Sequence, residues 1–224
     1  MDKTLESEKN NKKGCSNPKG MLRTAKGPFS YMYPMIAKQL IADYNINEGL
    51  GLDVGCGPGL LGIELVKRSN LNMISIDISE EMCEIAQNVV LEKGLEERLT
   101  ILNADVENLP FKEKKFNYIV SRGSFIFWED KVKAFQELYR VLTPGGIALI
   151  GGGDGRIWPK KPGDIIKKIR FNTITKLKMK LFPGGIKYNF SNDYWRKVLE
   201  DAGINNYNFL KHSFWIEFKK NINA

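Results

Sequence analysis

One stretch of this 224-residue chain has the residue types and spacing of a ligand-binding loop. Residues 52–59 read Leu-Asp-Val-Gly-Cys-Gly-Pro-Gly, so an apolar run ends in an acid and three alternating glycines follow. Glycines at this spacing let the backbone turn sharply and let a ligand approach it without meeting a Cβ atom. A helix is expected directly behind the loop, and its first backbone amides can donate hydrogen bonds to that ligand.

Two classes of ligand fit such a loop, and Asp53 distinguishes them. Gly57, Gly59 and Gly62 match the glycine fingerprint of dinucleotide-binding proteins, which would indicate an NAD-dependent oxidoreductase. A carboxylate at Asp53, two residues before the first glycine of the loop, would repel a pyrophosphate bound there. The same carboxylate would attract the ammonium and sulfonium groups of S-adenosylmethionine. The sequence therefore favours S-adenosylmethionine and keeps NAD as the alternative.

Polar residues also close the next three predicted strands. Asp77 is placed to accept hydrogen bonds from ribose hydroxyls, an arrangement that serves either ligand. Asp105 is placed to accept a hydrogen bond from the adenine amino group, and Val106 offers a backbone amide to the ring. Ser121 and Arg122 form a fourth polar position after the following strand.

The chain that carries these positions alternates strands and helices. Strands are predicted at 49–54, 72–76, 100–102, 118–120 and 147–150, with a terminal pair at 207–210 and 214–218. Helices are predicted at 33–44, 60–68, 79–93, 129–141 and 191–202. Strands separated by helices of this length indicate βαβ units and a parallel sheet, so the fold class is α/β. The carboxyl ends of parallel strands share one edge of the sheet, and ligands of α/β proteins bind there.

The ordered motifs resemble those of the class I S-adenosylmethionine-dependent methyltransferases. The motifs are DVGCGPG, SIDIS, LNADVENLPF, FNYIVSRGSF and LYRVLTPGG, all within residues 49–154. The sequences of these motifs are most similar to those of the small-molecule branch, and to quinone-ring C-methyltransferases within it. The resemblance implies a Rossmann-like seven-stranded sheet, mostly parallel, with helices on both faces and an antiparallel last strand. It also implies an enzyme that uses S-adenosyl-L-methionine and releases S-adenosyl-L-homocysteine.

The resemblance also assigns positions in the cofactor site. The loop residues match the methionine end, Asp77 the ribose position and Asp105 the adenine position, while Ile78 matches the residue that packs on the adenine face. Met82 is the better candidate than Cys83 for a further adenine contact, and Glu107 is expected to be a solvated charge. The complete set of expected cofactor contacts is Tyr31, Tyr33, Asp53, Gly55, Cys56, Gly57, Asp77, Ile78, Met82, Ala104, Asp105, Val106, Ser121 and Arg122.

Three residues are candidates for a catalytic role, which is needed only if the acceptor must first lose a proton. His212 is the only histidine and follows a predicted strand, Asp154 follows three glycines, and Tyr33 precedes the first predicted helix, where many relatives fold a lid. The sequence Ser-Arg-Gly-Ser at 121–124 replaces the motif of exocyclic-nitrogen methyltransferases, which leaves oxygen, carbon or sulfur as the acceptor atom. A protein that binds the cofactor without transferring its methyl group is a further alternative.

The net charge of +8 is concentrated in two segments. Residues 1–27 carry seven Lys or Arg and three acids, and residues 156–190 carry ten Lys or Arg and one acid. Residues 1–26 lack apolar periodicity and are predicted to be a disordered or loosely attached basic tail, which leaves 27–224 as the methyltransferase domain. The body outside the two segments is mildly acidic, so the charge does not by itself indicate nucleic-acid binding.

The segment 156–190 is predicted to be a basic helical insertion that caps the site. It is interpreted as a solvated insertion, or as a cap that attracts an anionic or amphiphilic small molecule or touches a membrane surface. Nucleic acid is disfavoured because few aromatic residues interrupt the lysines. Three cysteines at irregular spacing predict neither a disulfide framework nor a metal site. Together with the absence of a transmembrane stretch of ~18 apolar residues, this leads us to expect a cytoplasmic protein.

Overall fold

A seven-stranded mixed sheet forms the centre of the computed structural model, which describes residues 17–27, 30–152, 191–210 and 214–222. The strands are β1 (Glu48–Val54), β2 (Asn70–Asp77), β3 (Leu99–Asn103), β4 (Phe116–Arg122), β5 (Leu142–Gly151), β6 (Tyr207–Leu210) and β7 (Trp215–Lys219). Their order is β3-β2-β1-β4-β5-β7-β6. Strands β1 to β5 are parallel, and β7 runs antiparallel to both β5 and β6. The predicted α/β class and seven-stranded, mostly parallel sheet are confirmed.

Helices cover both faces of this sheet. Within the described residues they are α1 (Pro18–Lys26), α2 (Met32–Tyr44), α3 (Leu60–Val66), α4 (Glu80–Leu91), α5 (Lys131–Val141) and α6 (Asn192–Asp201). Ile119 and Val120 are neighbours in β4 but belong to different hydrophobic clusters, because successive strand residues point to opposite faces. Residues of α1 to α4 complete the cluster of Val120, and residues of α5 and α6 complete that of Ile119.

The element boundaries follow local sequence signals. The Ser79 hydroxyl caps α4 by accepting a hydrogen bond of 3.3 Å from the Met82 amide, as its position predicts. Strand β5 begins at Leu142, five residues before the predicted start. The predicted turn at 143–146 is an irregularity within that strand, where the register with β4 shifts and Gly145 has a φ of 76°.

The prediction of a disordered or loosely attached basic tail up to residue 26 is wrong for residues 18–26. They form α1, in which Ala25 is 2% exposed and Lys26 Nζ lies 3.1 Å from Glu92 Oε2 of the C-cap of α4. The Asn17 side chain accepts a hydrogen bond of 2.9 Å from the Gly20 amide, and Pro18 starts the helix. An asparagine cap followed by proline is a helix-start signal within an otherwise polar stretch.

Several predictions concern residues outside the described ones. These are residues 1–16 of the predicted tail, the predicted cap at 156–190, and the candidate catalytic residues Asp154 and His212. Among the described residues, no helix combines the length and apolar character that crossing a bilayer requires.

Candidate active site

The loop between β1 and α3 holds three glycines in the left-handed region. The φ angles of Gly55, Gly57 and Gly59 are 63°, 54° and 72°, a conformation that other residues adopt at a cost. A Cβ atom at Gly55 would also collide with the side chain of Ser124. The Cys56 amide donates a 2.9 Å hydrogen bond to the Ile76 carbonyl oxygen, which fixes the loop against the end of β2.

Asp53 lies at the methionine end of the predicted site, almost completely buried beneath this loop. Its side-chain Oδ2 accepts a hydrogen bond of 3.2 Å from the Gly62 amide in α3, and the residue is 1% exposed. Burial raises the pKa of the Asp53 carboxyl to about 7, the negative charge of Asp77 adds to this, and the Gly62 hydrogen bond opposes it. A cationic ligand group beside Asp53 would stabilise its ionised form.

Asp77, at the end of β2, is tied to the glycine loop. Its Oδ2 accepts a 2.9 Å hydrogen bond from the Gly57 amide, and its Oδ1 accepts a 3.0 Å bond from the Ser79 amide. Burial raises the pKa of Asp77, and hydrogen bonds from backbone amides partly offset that rise. A carboxylate has about four acceptor positions, so three bonds from the backbone amides of Gly57, Ile78 and Ser79 leave capacity for a ribose hydroxyl.

The predicted adenine end lies between the ends of β2 and β3. Asp105 Oδ1 accepts a hydrogen bond of 2.9 Å from the Glu107 amide, which starts the 3-10 helix Val106–Asn108. Ile78 is 37% exposed at this edge, which leaves an apolar surface on which a flat ring can pack. Ala104 joins the two strands, since its amide donates to the Asp77 carbonyl oxygen at 3.1 Å.

Glu107, which was predicted to be a solvated charge, is half-buried and also accepts hydrogen bonds from the backbone. Its Oε1 accepts hydrogen bonds from the amides of Glu129 at 2.7 Å and Asp130 at 3.1 Å, just before α5. Sequence analysis also missed Asn103, whose side-chain amide donates to the carbonyl oxygens of Asp77 and Ile78, both at 3.0 Å. Both side chains brace the adenine end, and their partners are more than 20 residues away along the chain.

Two expected contacts occupy the interior instead. Met82 is 0% exposed and is a core residue of α4. Ser121 is also 0% exposed, and its hydroxyl lies 2.6 Å from that of Ser124. Since Ser124 also donates to the Val54 carbonyl oxygen at 3.0 Å, Ser121 supports the end of β1 indirectly.

Cys56 is in the loop as predicted, without the features of a nucleophile. Burial raises the pKa of its thiol well above the ordinary value, and the negative charges of Asp53 and Asp77 raise it further. The thiol is therefore protonated near neutral pH.

Tyr31 and Tyr33 are 5% and 9% exposed around the start of α2, and Tyr33 contacts Arg122 of β4. The Arg122 guanidinium carbon lies 5.3 Å from the centroid of the Tyr33 ring. Burial raises the pKa of the Tyr33 hydroxyl, with a smaller increase from Asp53 and a decrease from Arg122. The charges of both Asp53 and Arg122 therefore act on the Tyr33 hydroxyl.

Helix α1, Tyr33 and Arg122 border a partly open cavity of about 400 Å³. The cavity is lined by Asn17, Gly20, Met21, Arg23, Thr24, Ala25, Tyr33 and Arg122. The same helix reaches the glycine loop, because a Cβ atom built at Gly57 would lie 3.4 Å from the Met21 Cε atom. The cavity therefore adjoins the glycine loop.

Comparisons with known proteins identify the family. A family model described as a methyltransferase domain matches residues 52–146. A solved structure of a candidate S-adenosyl-L-methionine-dependent methyltransferase from Methanococcus maripaludis is 35% identical, with a TM-score of 0.79. The match covers 91% of this chain and 92% of that one. This chain belongs to the S-adenosylmethionine-dependent methyltransferases.

Curated relatives of this methyltransferase match it over shorter parts. The uncharacterized methyltransferase YdaC of Bacillus subtilis is 31% identical over 44% of this chain and 53% of its own length. The ubiquinone/menaquinone biosynthesis C-methyltransferase UbiE of Rickettsia bellii is 28% identical over 74% of this chain and 71% of its own length. The chain thus spans about half the length of YdaC.

The residues of this methyltransferase fit the cofactor that its family name implies. Gly57 is buried, and the flexible end of the Met21 side chain is nearest to the position that a Cβ atom would take there, while Asp77 retains acceptor capacity. Ile78 presents an exposed apolar surface, and the pKa of Asp53 makes its charge responsive to a neighbouring cation. Met82 and Ser121, which were also expected to contact the cofactor, lie inside the protein, as Asp53 does.

Proposed function

We propose that this chain binds S-adenosylmethionine along the carboxyl ends of β1, β2 and β3 and transfers its methyl group to a small molecule. The observation that carries the proposal is the sequence of three acids, Asp53, Asp77 and Asp105, at or just after consecutive strand ends beside a loop with three left-handed glycines. Each acid matches the chemistry of a different part of the cofactor.

In this proposal the protein residues mainly bind and align. Asp77 accepts hydrogen bonds from the ribose, Asp105 accepts one from the adenine amino group, and Ile78 packs on the ring. Asp53 stabilises the positive charge at the methionine end. When bound, S-adenosylmethionine supplies an electrophilic methyl group, so alignment and exclusion of water are the main contributions required of the protein.

Tyr33 is better suited to position a substrate than to remove a proton from it. Because burial raises the pKa of its hydroxyl, the phenol is protonated near neutral pH. Asp154 and His212 remain candidates for a general base if the acceptor requires one. The acceptor atom is proposed to be oxygen, carbon or sulfur, on the basis of the Ser-Arg-Gly-Ser sequence at 121–124.

The basic segment 156–190 is proposed to act as a cap on the acceptor side of this site. The support for this is its ten Lys or Arg residues and its position in the chain directly after β5, whose carboxyl end lies at the ligand edge. A cytoplasmic location also belongs to this proposal and rests on the irregular spacing of the cysteines.

The cofactor assignment is tested by calorimetric titration of the full chain. S-adenosylhomocysteine is expected to bind with a 1:1 stoichiometry, and NAD is expected to give no binding heat. Binding of NAD without binding of S-adenosylhomocysteine would replace the proposal with the oxidoreductase alternative.

A further inference from the structure

Ser75, in β2, carries a buried hydroxyl group without a hydrogen bond. The residue is 0% exposed, and no described residue forms a hydrogen bond with its Oγ atom. A hydroxyl that is removed from water without a replacement partner costs free energy, so such groups are rare in folded proteins. The Ser75 hydroxyl is therefore expected to have a partner in another state of the protein.

The side chain of Ser75 lies on the same face of the sheet as that of Asp53. The two residues are register partners in the parallel strands β2 and β1. Their chain neighbours Leu52 and Ile76 belong to the hydrophobic cluster of Ile119, and successive strand residues point to opposite faces. Ser75 and Asp53 therefore both point to the face that α1 to α4 cover.

Both side chains end beside Gly62 of α3. A Cβ atom built at Gly62 would lie 2.8 Å from Ser75 Oγ and 3.5 Å from Asp53 Oδ2. The Gly62 amide donates its hydrogen bond of 3.2 Å to the same Asp53 oxygen. Because Gly62 has no side chain, α3 approaches the two strands closely, and the hydroxyl and the carboxyl lie against one short piece of backbone.

Few groups around Asp53 favour its ionised form. The Gly62 amide lowers the pKa of the Asp53 carboxyl, but burial and the charge of Asp77 raise that pKa to about 7. Further titratable groups on the surrounding elements are Cys56 in the loop, Tyr33 of α2, Arg122 of β4, and the ion-paired Glu64 and Arg68 of α3. The raised pKa values of Cys56 and Tyr33 keep both groups neutral near pH 7. A hydroxyl that donates to the carboxylate would add a hydrogen bond to the charged form.

We propose that Ser75 is a positioning residue for the cofactor: its hydroxyl donates a hydrogen bond to the ionised carboxylate of Asp53 and stabilises the charge that attracts the ammonium group of S-adenosylmethionine. The bond forms by rotation about the Cα–Cβ bond of Ser75, which moves Oγ to another staggered position while the backbone of β2 stays in place. The attraction of the ammonium group rests on the proposed function, whereas the hydrogen bond between Ser75 and Asp53 does not require a bound cofactor.

The test measures the affinity of the full chain for S-adenosylhomocysteine by calorimetry at pH values on both sides of about 7. Ser75→Ala removes the hydroxyl and keeps a small side chain beside Gly62. We expect this variant to move the midpoint of the rise in affinity upward by about one pH unit, because a hydrogen bond to the charged form is lost. The affinity should therefore fall by roughly fivefold at the wild-type midpoint and approach the wild-type value above the shifted midpoint.

Ser69→Ala is the matched control, because the Ser69 hydroxyl precedes β2 and donates to the Leu65 carbonyl oxygen at 2.8 Å. This variant should leave the midpoint unchanged. In an Asp53→Asn background, Ser75→Ala should not change the affinity, since the carboxylate is absent. An unchanged midpoint in Ser75→Ala, or an equal loss of affinity with and without the Asp53 carboxylate, would overturn the inference.

Unfolding of the ligand-free protein tests the hydrogen bond separately from the cofactor. In the wild-type protein the contribution of Asp53 to the free energy of unfolding decreases as pH rises to about 7, and in Ser75→Ala this decrease should continue to a higher pH. Identical pH profiles of the two proteins would contradict the hydrogen bond. If the wild-type protein does not bind S-adenosylhomocysteine, the proposed function fails, but a profile extended to higher pH in Ser75→Ala would still support the hydrogen bond.

Discussion

The backbone amide of Gly57 donates a hydrogen bond of 2.9 Å to Oδ2 of Asp77, across 20 residues of sequence. This bond joins the glycine loop of β1 to the acid that ends β2, so the two positions expected to contact the cofactor form one unit. A ligand that binds Asp77 therefore also lies beside the glycine loop, and the hydrogen bond from Gly57 to Asp77 helps to hold that loop in place.

The first prediction concerns Asp77 itself. Asp77→Ala should weaken the binding of S-adenosylhomocysteine by about 1–3 kcal/mol, because hydrogen bonds to the ribose are lost together with the hydrogen bond from Gly57. Calorimetry measures the affinity, and thermal unfolding without ligand shows whether the variant is folded. Unchanged affinity in a folded variant would remove Asp77 from the site.

The second prediction assigns the adenine position. Asp105→Asn keeps the side-chain shape but replaces one acceptor oxygen with a donor amide facing the adenine amino group. Affinity for S-adenosylhomocysteine should fall, and an analogue whose purine lacks the amino group should lose less affinity. Equal losses of affinity for the two ligands, measured by calorimetry, would show that Asp105 does not bind the adenine amino group.

The third prediction follows from the raised pKa of Asp53. Because the folded-state pKa is about 7 and the ordinary value is 3.8, the folded protein binds more protons than the unfolded chain between these values. The contribution of Asp53 to the free energy of unfolding therefore decreases as pH rises from about 4 to about 7. Asp53→Asn should accordingly stabilise the ligand-free protein more at pH values above the folded-state pKa than below it.

Binding of the cofactor product should show the opposite dependence on pH. The ionised form of Asp53 attracts the ammonium group, so affinity for S-adenosylhomocysteine should rise as pH increases through about 7. In Asp53→Asn this rise should disappear. Calorimetry at several pH values measures the slope, and an identical slope in the variant would assign it to another group, such as Asp77.

The fourth prediction concerns the brace at Glu107. Glu107→Ala removes the acceptor for the amides of Glu129 and Asp130, and should lower the free energy of unfolding by about 1 kcal/mol. Glu107→Gln keeps an acceptor oxygen and should lose less. Chemical unfolding of the pair measures the difference, and equal stability of the Ala and Gln variants would show that these hydrogen bonds contribute little.

The sequence predicted those parts of the site that are formed by residues close together in the chain. The glycine spacing after an apolar run located the loop, and Asp77 and Asp105 follow runs that become β2 and β3. The burial of the other residues depends on tertiary packing. Met82 and Ser121 lie in segments close to the site, but sequence periodicity does not show that neighbouring elements bury both side chains.

The sequence-based interpretation failed most clearly at α1. Its polar composition suggested a tail, whereas Ala25 and the Lys26–Glu92 pair attach it to the body. The Lys26–Glu92 pair joins segments more than 60 residues apart, and the Asn17-Pro18 start was the one local signal available. The brace from Glu107 to the residues before α5 is likewise a long-range contact.

The most direct test of the proposed methyl transfer uses S-adenosylmethionine labelled on its methyl group. The full chain is incubated with labelled cofactor and the small-molecule fraction of a cell extract, and labelled products are identified by mass spectrometry. We expect a labelled small molecule, with S-adenosylhomocysteine formed in equal amount, and a much lower yield from Asp77→Ala. Binding of S-adenosylhomocysteine without any labelled product would contradict methyl transfer and indicate a protein that only binds the cofactor.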